Sequence, residues 1–218
     1  MSNYTTQQMT FWQGEFGQEY TERNTLQSQE WDQYYKANYG LSKIEMNSQF
    51  IGQLPRTTRI LEVGCNIGMQ LVGLQRMGFT ELYGIELQNY AVEKAKQYSK
   101  NINIICGSGF DIPFKDAYFD IVVTNGVLIH IDPKDLPTIM QEMYRCSKKY
   151  IWGFEYYSEE LLAINYRGYQ NRLWKADYAA TFKKQFSDLH IIKQEIYPYI
   201  TDTEKGNRDS MYLLQKTS

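Results

Sequence analysis

Short apolar runs alternate with helical stretches along most of the chain after Pro55. The predicted strands cover residues 59–64, 81–86, 102–106, 120–124 and 150–154. Helical patterns separate them over residues 67–77 and 89–99, and a further helix runs from Pro133 to about Cys146. This alternation is typical of a parallel sheet that helices cover on both faces, so we predict an α/β fold.

The two ends of the chain have different patterns. Residues 26–38 and 42–54 predict two helices, which Gly40 and Pro55 close. We therefore divide the chain into an N-terminal helical lid, residues 1–54, and a main domain, residues 55–218. Residues 155–177 predict a loop-rich segment, followed by a short helix to about Phe186. The apolar runs 189–199 and 211–215 predict an antiparallel hairpin at one edge of the sheet.

Composition narrows the range of functions. The 218 residues include 23 Lys and Arg against 25 Asp and Glu, so the chain lacks the basic surplus of nucleic-acid binders. It has no run of about 18 apolar residues and no basic-then-apolar leader, so we expect a cytoplasmic protein with no membrane partner. Cys65, Cys106 and Cys146 are far apart and have no neighbouring His. We predict that they are small buried side chains, with neither a disulfide nor a metal site.

The most informative stretch runs from Leu61 to Gly68, where the first strand turns into the first helix. Open α/β sheets bind nucleotide-like ligands at this place. Gly64 and Gly68 do not match the G-x-G-x-x-G of dinucleotide sites, and no Gly-Lys-Ser/Thr of a P-loop follows. Glu62 would repel a pyrophosphate but attract a positively charged ligand. Glu86 ends the second strand and can accept both ribose hydroxyl protons, so a cationic nucleoside cofactor is favoured over NAD.

These residues, with Gly107-x-Gly109, Pro113-Phe114, Phe119-Asp120 and Leu128-x-His130, resemble the successive motifs of class I S-adenosylmethionine-dependent methyltransferases. The resemblance covers roughly residues 55–155 and rests on the ordered set rather than on any one motif. It implies a Rossmann-like fold and S-adenosylmethionine as the cofactor, with S-adenosylhomocysteine as the product. It also implies the cofactor-binding residues Glu62, Gly64, Asn66, Gly68, Glu86, Leu87, Ser108, Gly109, Phe110 and Asn125. Ser108 stands where the family usually has an acidic residue that contacts adenine.

A narrower resemblance lies outside this core. Residues 11–24, 166–169 and 173–177 are similar to a small clade of methyltransferases associated with pseudaminic acid biosynthesis. This similarity implies a seven-stranded mixed sheet with strand order 3-2-1-4-5-7-6, extended by the N-terminal lid. Tyr20 and Arg23 are three apart on one helical face, and a guanidinium suits a methionine carboxylate. We assign both residues to cofactor or substrate contact.

Two residues are candidates for a general base. His130 follows an apolar strand end, and with an ordinary pKa of about 6.5 it could take a proton from a hydroxyl or an amine. Its alternative role is that of a hydrogen-bonded structural histidine. Glu155, at the end of the fifth strand, is the second candidate, with an ordinary strand-end carboxylate as its alternative.

The segment 156–184 is locally basic, and 15% of the whole chain is aromatic, including 19 Tyr. Aromatic side chains fill cores, but they also suit the wall of a pocket for a polar organic ligand. We predict that an anionic or sugar-like acceptor contacts Trp12, Tyr156, Tyr157, Arg167, Arg172, Trp174 and Lys175. A solvated basic face is the alternative interpretation of the charged members.

The predicted reaction is in-line transfer of the sulfonium methyl group to an oxygen or nitrogen of a small polar acceptor, such as a sugar or nucleotide sugar. No metal is required, because the sulfonium already activates the methyl group. Two alternatives stay open. One is a non-catalytic S-adenosylmethionine-binding protein, and the less favoured one is an NAD-dependent oxidoreductase.

Overall fold

A seven-stranded mixed sheet forms the centre of the structure, a computed structural model that describes residues 4–25 and 28–217. Two further strands form a separate hairpin. The strands are β1 (Ile60–Val63), β2 (Leu82–Glu86), β3 (Asn103–Cys106), β4 (Phe119–Asn125), β5 (Ser147–Tyr156), β6 (Leu162–Tyr166), β7 (Tyr169–Lys175), β8 (Leu189–Pro198) and β9 (Arg208–Lys216). The five strands predicted between residues 59 and 154 are therefore present.

The order of the main sheet is β3-β2-β1-β4-β5-β9-β8. Strands β1 to β5 pair in parallel, whereas β9 pairs antiparallel with both β5 and β8. This order differs from the implied 3-2-1-4-5-7-6 in its last two strands. The difference arises because the β6–β7 hairpin, which lies outside the main sheet, precedes the terminal β8–β9 hairpin in the chain.

Eight α-helices accompany these strands in the part of the chain that the structure describes. They are α1 (Gln7–Gln13), α2 (Glu15–Arg23), α3 (Ser28–Tyr39), α4 (Lys43–Ile51), α5 (Met69–Arg76), α6 (Asn89–Tyr98), α7 (Leu136–Cys146) and α8 (Tyr178–Gln185). In α7 the buried residues recur at helical spacing, so one apolar stripe faces the sheet. Pro137 lies in the first turn of α7, whereas the predicted start at Pro133 is too early.

The hydrophobic core has two halves, one on each face of the sheet. Ile121 and Val123 belong to one half and Val122 to the other, because successive side chains of a strand point to opposite faces. One half packs against α7 and α8, and the other packs against α3, α4 and α5. This arrangement confirms the prediction of a sheet covered on both faces and leaves the carboxyl ends of β1 to β5 free to form a site.

Four helices precede β1. The predictions for residues 26–38 and 42–54 correspond to α3 and α4, although residues 26 and 27 lie outside the described residues. A capping box at Ser42 and Glu45 begins α4, since the Ser42 hydroxyl accepts from the Glu45 N–H and the Glu45 carboxylate accepts from the Ser42 N–H. The division of the chain at residue 55 stays a prediction.

Two predictions are wrong in detail. The segment 155–177 is not loop-rich, because it contains the β6–β7 hairpin. Cys65 and Cys146 are buried as predicted, but Cys106 is exposed at the end of β3. Among the described residues, no helix has both the length and the apolar character needed to cross a membrane.

Candidate active site

A cavity of about 580 Å³ lies at the carboxyl ends of β1, β2, β4 and β5, beneath α1 and α2. This position is where open α/β sheets bind their ligands. Fifteen of the predicted site residues line the cavity: Trp12, Tyr20, Glu62, Gly64, Asn66, Glu86, Leu87, Ser108, Gly109, Phe110, Asn125, His130, Glu155, Tyr156 and Arg167.

The loop after β1 forms a cradle made of backbone. Gly64 has a φ of +72°, and a Cβ there would lie 2.7 Å from Cγ2 of Val127. Asn66, with a φ of 47°, is also in the left-handed region. Gly68 lies off the cavity wall, where a Cβ would meet Ile104 of β3 at 2.8 Å. Gly64 therefore lets the loop pack closely against Val127, and Gly68 lets α5 begin close to the sheet.

Two carboxylates flank this cradle. Glu62 is 3% exposed on β1, and its Oε2 has no hydrogen-bond partner among the described residues. Burial raises the pKa of Glu62 well above its ordinary value, and the Lys43 charge opposes that shift. Glu86 is fixed in place, because its oxygens accept from the N–H of Asn66 at 2.8 Å and of Gln88 at 2.9 Å. Burial also raises the pKa of Glu86.

The loop after β3 supplies the next wall. Ser108 accepts a hydrogen bond from the Phe110 N–H at 3.1 Å, so its hydroxyl closes its own turn and keeps a proton to donate. A Cβ at Gly109 would lie 2.7 Å from Cγ1 of Val63. Phe110 is covered by Tyr4, with ring centroids 5.0 Å apart.

Polar contacts join the N-terminal helices to the cofactor loops. The Thr21 hydroxyl donates to Oε1 of Gln88 at 3.1 Å and accepts from Nδ2 of Asn66 at 3.3 Å. Nε2 of Gln88 in turn donates to the Trp12 carbonyl at 3.0 Å. We call these four residues the lid clasp. It holds α1 and α2 over the cavity.

Tyr20 and Arg23 separate in the structure. Tyr20 lines the cavity, and burial raises the pKa of its hydroxyl. Arg23 does not line it; its guanidinium pairs with Glu19 at 3.3 Å and lies 5.7 Å from the Phe16 ring. The two residues lie about 60° apart around α2, and Arg23 is drawn to its i−4 neighbour Glu19 rather than to the cavity. Arg23 therefore lies off the cavity wall, and its contact with a ligand stays a prediction.

His130 ends a short 3₁₀ turn (Leu128–His130) after β4. Its Nδ1 lies 2.8 Å from the Arg172 carbonyl oxygen, and because a carbonyl only accepts, Nδ1 carries the proton. Nε2 is then the nitrogen with a free lone pair. The rings of Trp12 and Tyr166 lie 4.6 Å and 5.1 Å from the imidazole. Burial lowers the pKa of His130 to about 4, so the ring is neutral at pH 7 with Nε2 open to a proton, but it is a weaker base than the ordinary imidazole expected from the sequence.

Glu155 is 1% exposed and supports the loop that carries His130. Its Oε1 accepts from the Val127 N–H at 3.2 Å and its Oε2 from the Ile129 N–H at 3.4 Å. Burial raises the pKa of Glu155 to about 7, against the opposing effect of these hydrogen bonds. Glu155 therefore positions the 127–130 turn as well as facing the cavity.

The predicted acceptor residues divide into two groups. Trp12, Tyr156 and Arg167 line the cavity. The others do not: Tyr157 packs under Arg208, the Arg172 guanidinium lies 4.9 Å from the Phe11 ring, Trp174 is buried, and Lys175 bonds Asn207. On β7, Leu173 lines the cavity whereas its neighbours Arg172 and Trp174 do not, because alternate side chains of a strand point in opposite directions. Of the three basic residues predicted to contact the acceptor, two therefore lie outside the cavity lining.

Sequence reasoning missed the part of the cavity beside β5 and β9. Asp209, at the start of β9, is buried, and its Oδ2 accepts from the Tyr39 hydroxyl. Lys43 lies behind the wall, where its Nζ donates to Oδ1 of Asn125 at 2.8 Å and lies 3.5 Å from the Phe154 ring centroid. Burial lowers the pKa of Lys43 to about 7. The missed lining residues are Trp31, Tyr34, Tyr35, Tyr39, Tyr199, Glu204 and Asp209. In the sequence, the surplus of Tyr is the one feature that points to these residues.

Comparison with known proteins identifies the central part of the chain. Residues 61–150 match the family model described as a methyltransferase domain. The matched segment is about two fifths of the 218 residues. The match confirms the predicted enzyme class for this domain, an S-adenosylmethionine-dependent methyltransferase, and supports S-adenosylmethionine as its cofactor.

Similar proteins agree with this domain assignment. The O-methyltransferase rstn1 of Aspergillus nomiae is 33% identical over 85 residues, which are 36% of this chain and 38% of that protein. An uncharacterized methyltransferase of Schizosaccharomyces pombe is 32% identical over 105 residues, 43% of this chain and 37% of that protein. A solved S-adenosylmethionine-dependent methyltransferase of Anabaena variabilis has a TM-score of 0.67 at 12% identity and covers 100% of this chain and 98% of that chain. The chain spans about two fifths of the curated relatives it matches, while the fold extends over its whole length.

Proposed function

We propose that the whole protein is an S-adenosylmethionine-dependent methyltransferase that transfers a methyl group to an oxygen or nitrogen of a small polar acceptor. The observation that carries this proposal is the buried Glu62 carboxylate beside the Gly64 cradle, whose Oε2 has no partner within residues 4–25 and 28–217. A buried unpaired carboxylate oxygen is costly unless a ligand supplies a donor or a positive charge. The cofactor of this enzyme class supplies both.

The residues around the cavity fit that cofactor. Glu62 would face the amino and sulfonium end, and Glu86, already oriented by two backbone N–H groups, keeps lone pairs for the ribose hydroxyls. Leu87 and Phe110 would flank the adenine, and Ser108 would offer its hydroxyl proton.

S-adenosylmethionine would supply an activated methyl group on a sulfonium. The tasks of the chain are then to align the acceptor, exclude water and accept a proton. The lid clasp supports water exclusion, since it holds α1 and α2 over the cavity. The neutral His130 supports proton acceptance at Nε2, because its Nδ1 is committed to the Arg172 carbonyl.

The size and walls of the cavity support a small acceptor rather than a macromolecule. The cofactor must share about 580 Å³ with it. Aromatic walls with a few polar groups suit a polar organic molecule such as a sugar. The narrower resemblance to the pseudaminic acid-associated clade, and a nucleotide sugar as the acceptor, stay predictions.

Calorimetric titration with S-adenosylmethionine and with NAD tests the cofactor, and transfer of a labelled methyl group tests the reaction. We expect binding of S-adenosylmethionine alone and a labelled product. Glu86→Ala should weaken this binding by about 1–3 kcal/mol, roughly 5- to 150-fold, because a charged hydrogen-bond acceptor is lost. Glu93→Ala, on the exposed face of α6, is the matched control and should bind as the wild type does. Binding of NAD instead of S-adenosylmethionine would contradict the assignment. Equal affinity of Glu86→Ala and Glu93→Ala for S-adenosylmethionine would contradict it too.

A further inference from the structure

The cavity wall beside β5 and β9 combines aromatic rings with a buried carboxyl group. Asp209 is 2% exposed and lines the cavity. The Tyr39 hydroxyl donates to its Oδ2, and Tyr199 forms a second hydrogen bond to its side chain. Tyr35 and Tyr156 line the wall beside them. We call these five residues the tyrosine–aspartate wall.

The sheet order puts this wall at the acceptor end of the cavity. Glu62, Glu86 and Ser108 follow the order β1, β2, β3, so the proposed cofactor extends over that half of the sheet. Asn125, at the tip of β4, would then contact the methionine end of the cofactor. Tyr35 links Asn125 to the wall, because it hydrogen-bonds Asn125 and stacks on Tyr39 with centroids 5.6 Å apart. A molecule on the wall is therefore beside the methyl group.

The ionisable side chains that line the cavity are mostly acidic. Among the described lining residues, five carry carboxyl groups and one, the exposed Arg167, carries a fixed positive charge. The carboxyl groups belong to Glu62, Glu86, Glu155, Glu204 and Asp209.

Lys43 and Lys175 lie near Asp209, but the ammonium group of each interacts with another residue. Lys43 donates to Asn125 and lies over Phe154, and Lys175 bonds Asn207. Neither lysine lines the cavity. Such a wall repels phosphate and favours an ammonium group, which aromatic faces also attract.

We propose that the acceptor is a primary or secondary amine bound on the tyrosine–aspartate wall, and that Asp209 receives its proton before methyl transfer. This inference rests on the proposed function. The ammonium loses one proton to the Asp209 carboxylate. The nitrogen lone pair forms the new N–CH3 bond as the methyl–sulfur bond breaks, and sulfur keeps that electron pair in S-adenosylhomocysteine. The positive charge moves from sulfur to nitrogen, and the Asp209 proton leaves to water.

The pH dependence of the reaction should reflect Asp209. Burial raises its pKa to about 6, while the Tyr39 and Tyr199 hydrogen bonds and the Lys43 charge oppose that shift. Asp209 must be ionised to accept a proton, so the rate should rise with pH through about 6. The titratable groups that face it are Tyr34, Tyr35, Tyr39, Lys43, Tyr156, Lys175, Tyr199 and Glu204. Lys43 also has a pKa near 7, so the contribution of Asp209 to the pH profile is identified by comparing the wild type with Asp209→Asn.

The first experiment offers the full chain matched acceptors with tritiated S-adenosylmethionine. Glucosamine is paired with glucose, 2-phenylethylamine with 2-phenylethanol, and UDP-N-acetylglucosamine represents phosphate-bearing acceptors. We expect labelled product from an amine at a rate at least about 10-fold above that of its alcohol. Product from the alcohols or the phosphate-bearing compound alone would overturn the inference. Binding of S-adenosylmethionine with no amine product would overturn it too, whereas absence of cofactor binding would overturn the proposed function itself.

The second experiment uses Asp209→Asn, which keeps an acceptor for the Tyr39 hydroxyl. We expect kcat/KM for the amine to fall about 100-fold, the step near pH 6 to disappear, and cofactor affinity to stay within about 2-fold. Glu195→Gln, on the exposed part of β8, makes the same charge change outside the cavity and should keep both rate and pH profile. An unchanged pH profile in Asp209→Asn would overturn the role of Asp209. A melting temperature and cofactor affinity equal to wild type exclude misfolding as the cause of any loss.

Discussion

The two halves of the cavity are built in different ways. The cofactor half comes from residues 62–110, in which backbone loops and strand-end carboxylates follow one another along the chain. The acceptor half brings together Tyr35 from α3, Tyr156 from β5 and Asp209 from β9, with Lys43 of α4 behind them. Local chain geometry forms the first half, and only the folded topology forms the second. The acceptor half can therefore change while the cofactor half stays the same.

The largest expected effect is at the boundary between the halves. If His130 is the proton acceptor of the proposed function, His130→Ala should lower turnover about 100-fold or more while cofactor affinity stays near the wild-type value; unchanged turnover would leave proton acceptance to Asp209 alone. Steady-state kinetics and calorimetry measure the two quantities. His190→Ala, on the exposed part of β8, is the matched control. A parallel loss of thermal stability in His130→Ala alone would instead assign His130 to the structure.

The next effect should be confined to the cofactor half. Gly64→Ala places a Cβ 2.7 Å from the Val127 side chain, so we expect cofactor affinity to fall about 10-fold or more, in line with roughly 1–3 kcal/mol of overpacking. Gly206→Ala shares the positive φ but meets nothing within 4 Å, so it separates backbone strain from steric contact. Calorimetric titration compares the two. Equal losses would show that the close approach to Val127 is unimportant.

The third expected effect is on the pH dependence of stability and concerns Lys43, behind the acceptor half of the cavity. Burial holds the pKa of Lys43 near 7, below its unfolded value of 10.5, so between these values the unfolded chain binds the extra proton. The free energy of unfolding should therefore rise with pH in this window, by at most about 1.4 kcal/mol per pH unit from this group. Lys43→Met should remove that slope between pH 7 and 9 in urea denaturation, and Lys96→Met, on an exposed helix face, should keep it. An identical slope in Lys43→Met would contradict a buried, shifted lysine.

The smallest effect concerns Arg23. Its side chain is 35% exposed and pairs with Glu19 away from the cavity. Surface pairs of this kind contribute about 0.3–0.5 kcal/mol, so Arg23→Ala should change cofactor affinity by less than about 2-fold. Tyr20→Phe, which alters a cavity-lining residue on the same helix, provides the contrast in calorimetry. A large loss in Arg23→Ala would restore the contact with methionine that the sequence predicted.

The sequence predicted most of the cofactor half because its chemistry is local. The turn after β1 needs glycine at a positive φ, and Glu86 ends its strand, so residue type and position suffice. The parallel strands were predictable for a similar reason, since buried strands appear as continuous apolar runs.

The acceptor half could not be predicted in the same way. Asp209 lies 170 residues from its partner Tyr39, and no local pattern connects them. The sequence predicts a loop where the β6–β7 hairpin lies, because five of the twelve strand residues are polar or charged and the apolar alternation is therefore weak. Because the sequence does not predict this hairpin, it assigns Arg172 and its basic neighbours to the acceptor site. The structure places most of these residues away from the cavity.

The placement of α3 and α4 has a practical consequence for fragments of this protein. A chain begun at residue 55 would retain every motif matched by the family model, yet it would lack Tyr35, Tyr39 and Lys43. Asn125 and Asp209 would then lose their buried partners and meet solvent. Such a fragment would keep the recognisable domain without a complete chamber for a second substrate, so experiments on activity require the N-terminal helices.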